Sequence, residues 1–174
     1  MYEVEAKIRV DCDGLEAILE KALELGGRLI GRRREVDIYY QHPCRDFVET
    51  DEALRVRIID GTKYSLTYKG PRIDNRGDIK KRVEIIVEVS GGDIEKLLEE
   101  IGFKPMATVT KDRTYVELHG TTVTLDRVQR LGCFVEIEGD NPAGIKQVVE
   151  ELGVKGEYVK ETYAEMIARL EGAN

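Results

Sequence analysis

The chain carries few of the residues that staple or break small folds: three cysteines, four prolines and two histidines among 174 residues. Cys12, Cys44 and Cys133 are odd in number and show no CxxC spacing, so neither a disulfide framework nor a zinc knuckle is suggested, and free thiols are expected. His42 and His119 lie far apart in turn-like surroundings and are expected at the surface, not as a catalytic pair. No uninterrupted apolar run approaches the roughly 20 residues of a spanning helix. The opening MYEVEAKIRV also places charges where a signal peptide has its apolar stretch. A cytoplasmic protein with no membrane role is therefore expected. Bases are outnumbered by acids, 27 against 34, and a net charge of −7 argues against general nucleic-acid binding, although a local basic pocket is compatible with it. What remains, 41% hydrophobic and 35% charged residues, is the composition of one soluble globular domain over residues 1–174.

The apolar residues that are present fall into two periods. Tyr2, Val4, Ala6, Ile8 and Val10 alternate with Glu3, Glu5, Lys7 and Arg9, the period of a strand. Leu15, Ile18, Leu19, Ala22 and Leu23 then recur at helical spacing, with Asp13 as N-cap and Gly26-Gly27 as the stop. Further strands are predicted over 36–40, 53–59, 64–69 and 82–89, with Asp60-Gly61 turning between the second and third of them. From Asp93 the pattern restarts, with a helix to Ile101 and strands over 108–117, 121–128 and 133–138. The helix endings KALELGG, KLLEEIGF and VVEELGV are versions of one phrase, so an internal duplication of about 1–90 and 91–174 is expected. A helix opens at Asn141-Pro142, and residues 157–170 read as a last helix. The stretch from Lys69 to Lys81 reads as a basic loop, solvated and mobile, with Arg76 and Lys80 as its candidates for a nucleotide contact.

The polar positions of these strands carry charges of both signs at period two. Glu3, Glu5, Glu84, Glu88, Asp126, Glu136 and Glu138 are the acids; Lys7, Arg55, Arg57, Lys63, Lys69, Arg82, Lys111 and Arg113 are the bases. A solvated sheet face explains any one strand. Recurrence on nearly every strand points instead to faces that curl toward one another and line a channel. Carboxylates gathered there call for hard divalent cations, and clustered Arg and Lys call for a polyanion such as a phosphate chain. Side chains at i and i+2 lie roughly 6.5–7 Å apart on one face, so Glu3 with Glu5, or Arg55 with Arg57, can act as pairs.

The opening Glu3-Val4-Glu5-Ala6-Lys7 resembles the ExExK signature of the CYTH superfamily, named for class IV (CyaB-type) adenylyl cyclases and thiamine triphosphatases. Further similar elements follow in order: VDIYYQHP from Val36, ALRVR, LTYKGP, the RVE of Arg82 and Glu84, TKDRTY, LDRV and FVEIE. The C-terminal YVKETYAEMI resembles the family's ending, with Thr162-Tyr163 in place of a Ser-Tyr pair and Lys160 as the preceding base. The resemblance implies an α+β fold, a closed eight-stranded antiparallel barrel or triphosphate tunnel with helices packed outside. It implies Mg²⁺ or Mn²⁺ held by Glu3, Glu5, Glu84, Asp126, Glu136 and Glu138. A triphosphate would be held by Lys7, Arg55, Arg57, Lys69, Arg82, Lys111 and Arg113, and the catalytic group would comprise Glu3, Glu5, Lys111, Arg113, Asp126 and Glu136.

Two reactions fit such a site: cyclisation of ATP to cyclic AMP and pyrophosphate, or release of orthophosphate from inorganic or thiamine triphosphate. The VDIYYQHP segment resembles the cyclase branch more. A non-catalytic nucleotide- or polyphosphate-binding protein is the reading from another class, and the retained acids speak for an enzyme. The expected partner is a nucleoside triphosphate or other triphosphate, with no nucleic acid and no membrane, and a homodimer is admitted.

Overall fold

A computed structural model of the chain describes residues 2–74 and 77–172. Its strands are β1 (Tyr2–Val10), β2 (Arg28–Gln41), β3 (Ala53–Ile59), β4 (Lys63–Asp74), β5 (Ile79–Val89), β6 (Lys104–Leu118), β7 (Thr121–Val128), β8 (Gly132–Glu138) and the two-residue β9 (Glu157–Tyr158). Helices α1 (Leu15–Glu24), α2 (Asp93–Glu100), α3 (Pro142–Leu152) and α4 (Tyr163–Gly172) fall between and after them. Strand order is β5-β4-β3-β2-β6-β7-β8-β1, and β1 pairs again with β5, which closes eight antiparallel strands into a barrel. The period-two pattern dictates this result. A strand apolar on one face and charged on the other satisfies both faces when the apolar side goes outward to helices and the charged side inward to its own counter-charges.

Val4, Ala6 and Ile8 of β1 point outward with Val116, Leu118, Val123, Leu125, Val135 and Ile137, and α1 and α3 cover them through Leu15, Leu19, Ala22, Ile145, Val148 and Leu152. Against the other flank, α2 brings Leu98 onto Tyr40 and Val56. Helix α4 differs, because it packs on inward-pointing residues. Tyr39, Val109, Val128 and Phe134 turn the inside of the barrel apolar at one end, and Tyr163, Ala164, Met166 and Ile167 seat there. The charged interior is therefore stoppered at that end.

Several boundaries differ from the sequence pattern. Asp13 lies within a 3₁₀ turn over Cys12–Gly14, so Gly14 takes the N-cap place and no side chain caps α1. Asn141 does cap α3, accepting from the Gly144 amide at 2.9 Å. The segment from Lys69 to Lys81 is strand for most of its length, because β4 runs on to Asp74 and β5 begins at Ile79. Lys80 is buried there with its Nζ 3.2 Å from Glu5, while Arg76 falls outside the described residues. The last helix starts at Tyr163; residues 157–158 pair with β1 instead, at Ile8 and Arg9. Cys12 and Cys133 are joined as a disulfide rather than free, since Cys133 pairs with Val10 across the β1–β8 seam and Cys12 follows two residues on; Cys44 alone keeps its thiol and is exposed. No described helix is long and apolar enough to cross a membrane.

Candidate active site

The interior of the barrel is a cavity of about 180 Å³. Twelve of the charged residues singled out by strand period line it: Glu3, Glu5 and Lys7 from β1, Arg55 and Arg57 from β3, Lys69 from β4, Arg82 and Glu84 from β5, Lys111 and Arg113 from β6, and Glu136 and Glu138 from β8. Tyr39, Tyr115, Thr122, Thr124, Thr162 and Tyr163 complete the wall with two apolar contributions, Ala53 and Ile86. Glu88 and Lys63 are exposed and take no part. Lys160 is also exposed; its carbonyl accepts from Arg72, and the base that reaches this corner is Lys7, whose Nζ donates to the Glu161 carbonyl at 3.2 Å.

Acids and bases are sorted along the tunnel. At one place Glu3, Glu84 and Glu138 bring carboxylate oxygens within 4.8 Å of one another. Burial, then the charges of Glu3, Glu84 and Glu5, pushes the Glu138 carboxyl up to about 7, and burial with Glu5 beside it raises Glu3. Lys69, 2.6 Å from Glu3 and 3.2 Å from Glu84, relieves only part of this repulsion. One oxygen of Glu3 is buried with no hydrogen-bond partner. Three converging carboxylates, one with an orphaned oxygen, are a hard-oxygen donor set that fits a divalent cation such as Mg²⁺ or Mn²⁺. Glu5, by contrast, is already neutralised: burial opposes its ionisation, yet Lys80, Lys7 and Lys69 prevail and hold it near 2.

Over the rest of the cavity wall bases outnumber acids. Arg113 grips Asp126 with Nε at 2.6 Å and Nη2, and Nη2 also reaches Glu136, which Lys7 approaches at 3.3 Å. Asp126 is fully buried, also receives the Tyr163 hydroxyl at 2.7 Å, and sits behind Arg113 rather than on the cavity surface. Arg82 gives its Nε to the Gly70 carbonyl at 2.8 Å and one Nη to the Asp51 carbonyl at 2.7 Å. Two further acids were absent from the strand-face pattern. Asp37 and Glu35 of β2 are fully buried against Arg55, Arg57 and Lys111. Their signal was in the sequence, since Arg33, Glu35, Asp37 and Tyr39 are spaced by two, but Arg32 and Arg34 interrupt the polar-apolar contrast that marks an inward face.

A closed barrel with an acidic cradle beside a row of cations is thus in place, and comparison with known proteins meets it at the level of sequence. The CYTH domain model matches residues 1–163. The chain belongs to the CYTH domain family. Among CYTH relatives, an adenylate cyclase candidate of Methanocaldococcus jannaschii is 34% identical over 138 residues, 79% of this chain and 77% of that protein. The inorganic pyrophosphatase TTM1 of Arabidopsis thaliana is 30% identical over 135 residues, 75% of this chain but only 20% of the much longer plant protein. The solved structure of PH1819 from Pyrococcus horikoshii superposes with a TM-score of 0.78 at 39% identity, covering 98% of this chain and 99% of that one.

Proposed function

We propose that this CYTH protein is a metal-dependent enzyme that acts on a triphosphate threaded through the barrel, with ATP as substrate and cyclisation to cyclic AMP and pyrophosphate as the reaction. The observation that carries the reading is the sorted interior. A triphosphate is a chain of negative charges that needs a row of donors along its length and a cation where a phosphorus is attacked. Glu3, Glu84 and Glu138 would hold Mg²⁺ or Mn²⁺, which when bound supplies charge neutralisation and polarisation of the attacking oxygen. Arg55, Arg57, Lys69, Lys111 and Arg113 bind and align the phosphates, and their preset ion pairs spare reorganisation when charge develops. Tyr163 and α4 close the far end and exclude water from it. The name of the Methanocaldococcus relative supports cyclisation, and that of TTM1 supports the second reading, hydrolysis at the chain end.

Incubating the protein with Mn²⁺ and, separately, ATP, inorganic triphosphate and thiamine triphosphate decides between them by ion-exchange analysis of products. Cyclic AMP with pyrophosphate is the expected result. Orthophosphate without cyclic AMP assigns hydrolysis, and no product from any substrate overturns an enzyme reading. The cradle has its own test. Glu84→Gln is expected to weaken Mn²⁺ binding by about tenfold or more, on the scale of other metal-site losses, in calorimetric titration. Wild-type Mn²⁺ affinity in this variant would take Glu84 out of the cation site.

A further inference from the structure

Two carboxylates stand behind the cations rather than among them. Arg57 holds Asp37 through Nε at 2.6 Å and Nη2 at 2.8 Å, Lys111 Nζ lies 2.5 Å from the same carboxylate, and Arg55 lies 3.6 Å away. Glu35, two residues before it, takes Arg57 at 3.2 Å, Lys111 at 3.3 Å and the Tyr115 hydroxyl. Neither acid reaches the cavity surface, whereas Arg55, Arg57 and Lys111 all do. The two acids hold the cations from behind and leave their outer faces to a ligand.

Of those three cations, two are guanidiniums that stay charged anywhere, and one is an ammonium that does not. Lys111 is fully buried, and the groups around it come from its own strand and four other elements: Asp37 and Glu35 from β2, Arg57 from β3, Arg113 from β6, Glu136 from β8 and the Tyr163 ring of α4 at 5.6 Å, with the apolar Val128 of β7 beside it in register. Burial first, then Arg57 and Arg113, work to strip its proton and bring it down to about 8; Asp37 and Glu35 oppose them. Among the described residues these two acids are its ion-pair partners.

We propose that Asp37, backed by Glu35, is a positioning residue that keeps Lys111 an ammonium ion and aims it with Arg57 into the tunnel as a preset pair of phosphate-binding groups. The inference rests on the triphosphate reading and deepens it by naming what keeps the grip charged. Without the Asp37 charge, Lys111 is left between Arg57 and Arg113 with Glu35 as its remaining ion-pair partner, and a larger share of it is the neutral amine at neutral pH. The tunnel then loses one positive charge where the phosphates bind.

The test is calorimetric binding of tripolyphosphate to the full chain between pH 6 and 9.5. For the wild type, affinity is present while Lys111 is protonated and falls as pH rises through about 8. In Asp37→Asn that fall should move to lower pH by about one unit or more, the usual effect of losing a close opposite charge. Binding at pH 7.5 is then about threefold weaker than wild type, with the deficit growing toward about tenfold near pH 9 and closing toward pH 6. Ionisation of the ligand is common to all the proteins and cancels in the ratio to wild type. Adding Lys111→Arg to Asp37→Asn should remove the lysine-dependent fall altogether, because an arginine stays charged. A deficit in Asp37→Asn that is constant with pH, or a fall unmoved from the wild type, overturns the proposal. If Asp37→Asn does not fold, Glu35→Gln serves, with a smaller displacement in the same direction expected and an unmoved profile overturning it. Wild-type protein that binds no tripolyphosphate at any pH sinks the triphosphate reading and this proposal together; wild-type binding with either negative result above sinks the proposal alone.

Discussion

Arg57→Ala is expected to lower turnover by about a thousandfold or more and to cost about 3–5 kcal/mol of stability, the range for removing one partner of a buried pair. Strand pattern alone suggests a repulsive channel whose side chains add little to the fold, in which case truncation would abolish turnover and leave stability untouched. The ion pairs reverse the second half of that expectation. Arg57 makes two hydrogen bonds to Asp37 and lies 3.2 Å from Glu35, both fully buried. Burial opposes ionisation of Asp37, and the charges of Arg57, Lys111 and Arg55 together hold it well below the usual carboxylate range. Without Arg57 those acids lose the guanidinium they share, and on the triphosphate reading the phosphates lose a donor. Urea unfolding and steady-state kinetics on the same preparation read both effects. Arg57→Lys, which keeps the charge but not the fork, should recover most of the stability and little of the rate. An Arg57→Ala protein with wild-type stability, or with turnover within tenfold of wild type, would show that the pair does not carry the load assigned to it.

Removing the Cys12–Cys133 disulfide is the second large effect, with an expected cost of about 3–5 kcal/mol in Cys12→Ser on the chain-entropy account of cross-links that close long loops. The bond spans 121 residues of sequence, so it removes a large share of the unfolded chain's freedom. Unfolding of the wild type in excess dithiothreitol should fall to the level of the variant without reductant. Coincident curves for oxidised and reduced wild type would mean that the bond contributes nothing. The bond also bears on location, because structural disulfides persist in oxidising compartments and in the cytosol of hyperthermophiles and are rare in other cytosols.

The alternation of β1, β3, β7 and β8 made their inward and outward faces legible, and with them most of the tunnel wall, because period two needs no knowledge of tertiary partners. Strand β2 was harder. Its first half, from Arg28 to Val36, carries charge on both faces: Arg32 and Arg34 lie outward beside Glu16 and Asp112, while Glu35 turns inward. With polar groups on either side, the pattern has no amplitude, and nothing in it marks Glu35 and Asp37 as inward-facing. The cysteines misled for a different reason. Count and spacing describe neighbours in sequence, whereas Cys12 and Cys133 become neighbours only through the register of two strands from opposite ends of the chain. The start of α4 was obscured because Glu157 and Tyr158, which continue a helical pattern toward Tyr163, are drawn away by pairing with β1.

The double pairing of β1 sets an order of events as the chain is made. Its front half, Tyr2–Ala6, meets Ile79–Val83, and its back half meets Cys133–Glu138, the last of the barrel strands to leave a ribosome. Contacts of such long sequence separation form late and slowly. Glu3 on β1 and Glu138 on β8 face each other only across this final seam. The cluster of three carboxylates therefore comes into being with the closing of the barrel, and a nascent chain that stops short of β8 has neither that cluster nor the enclosed tunnel.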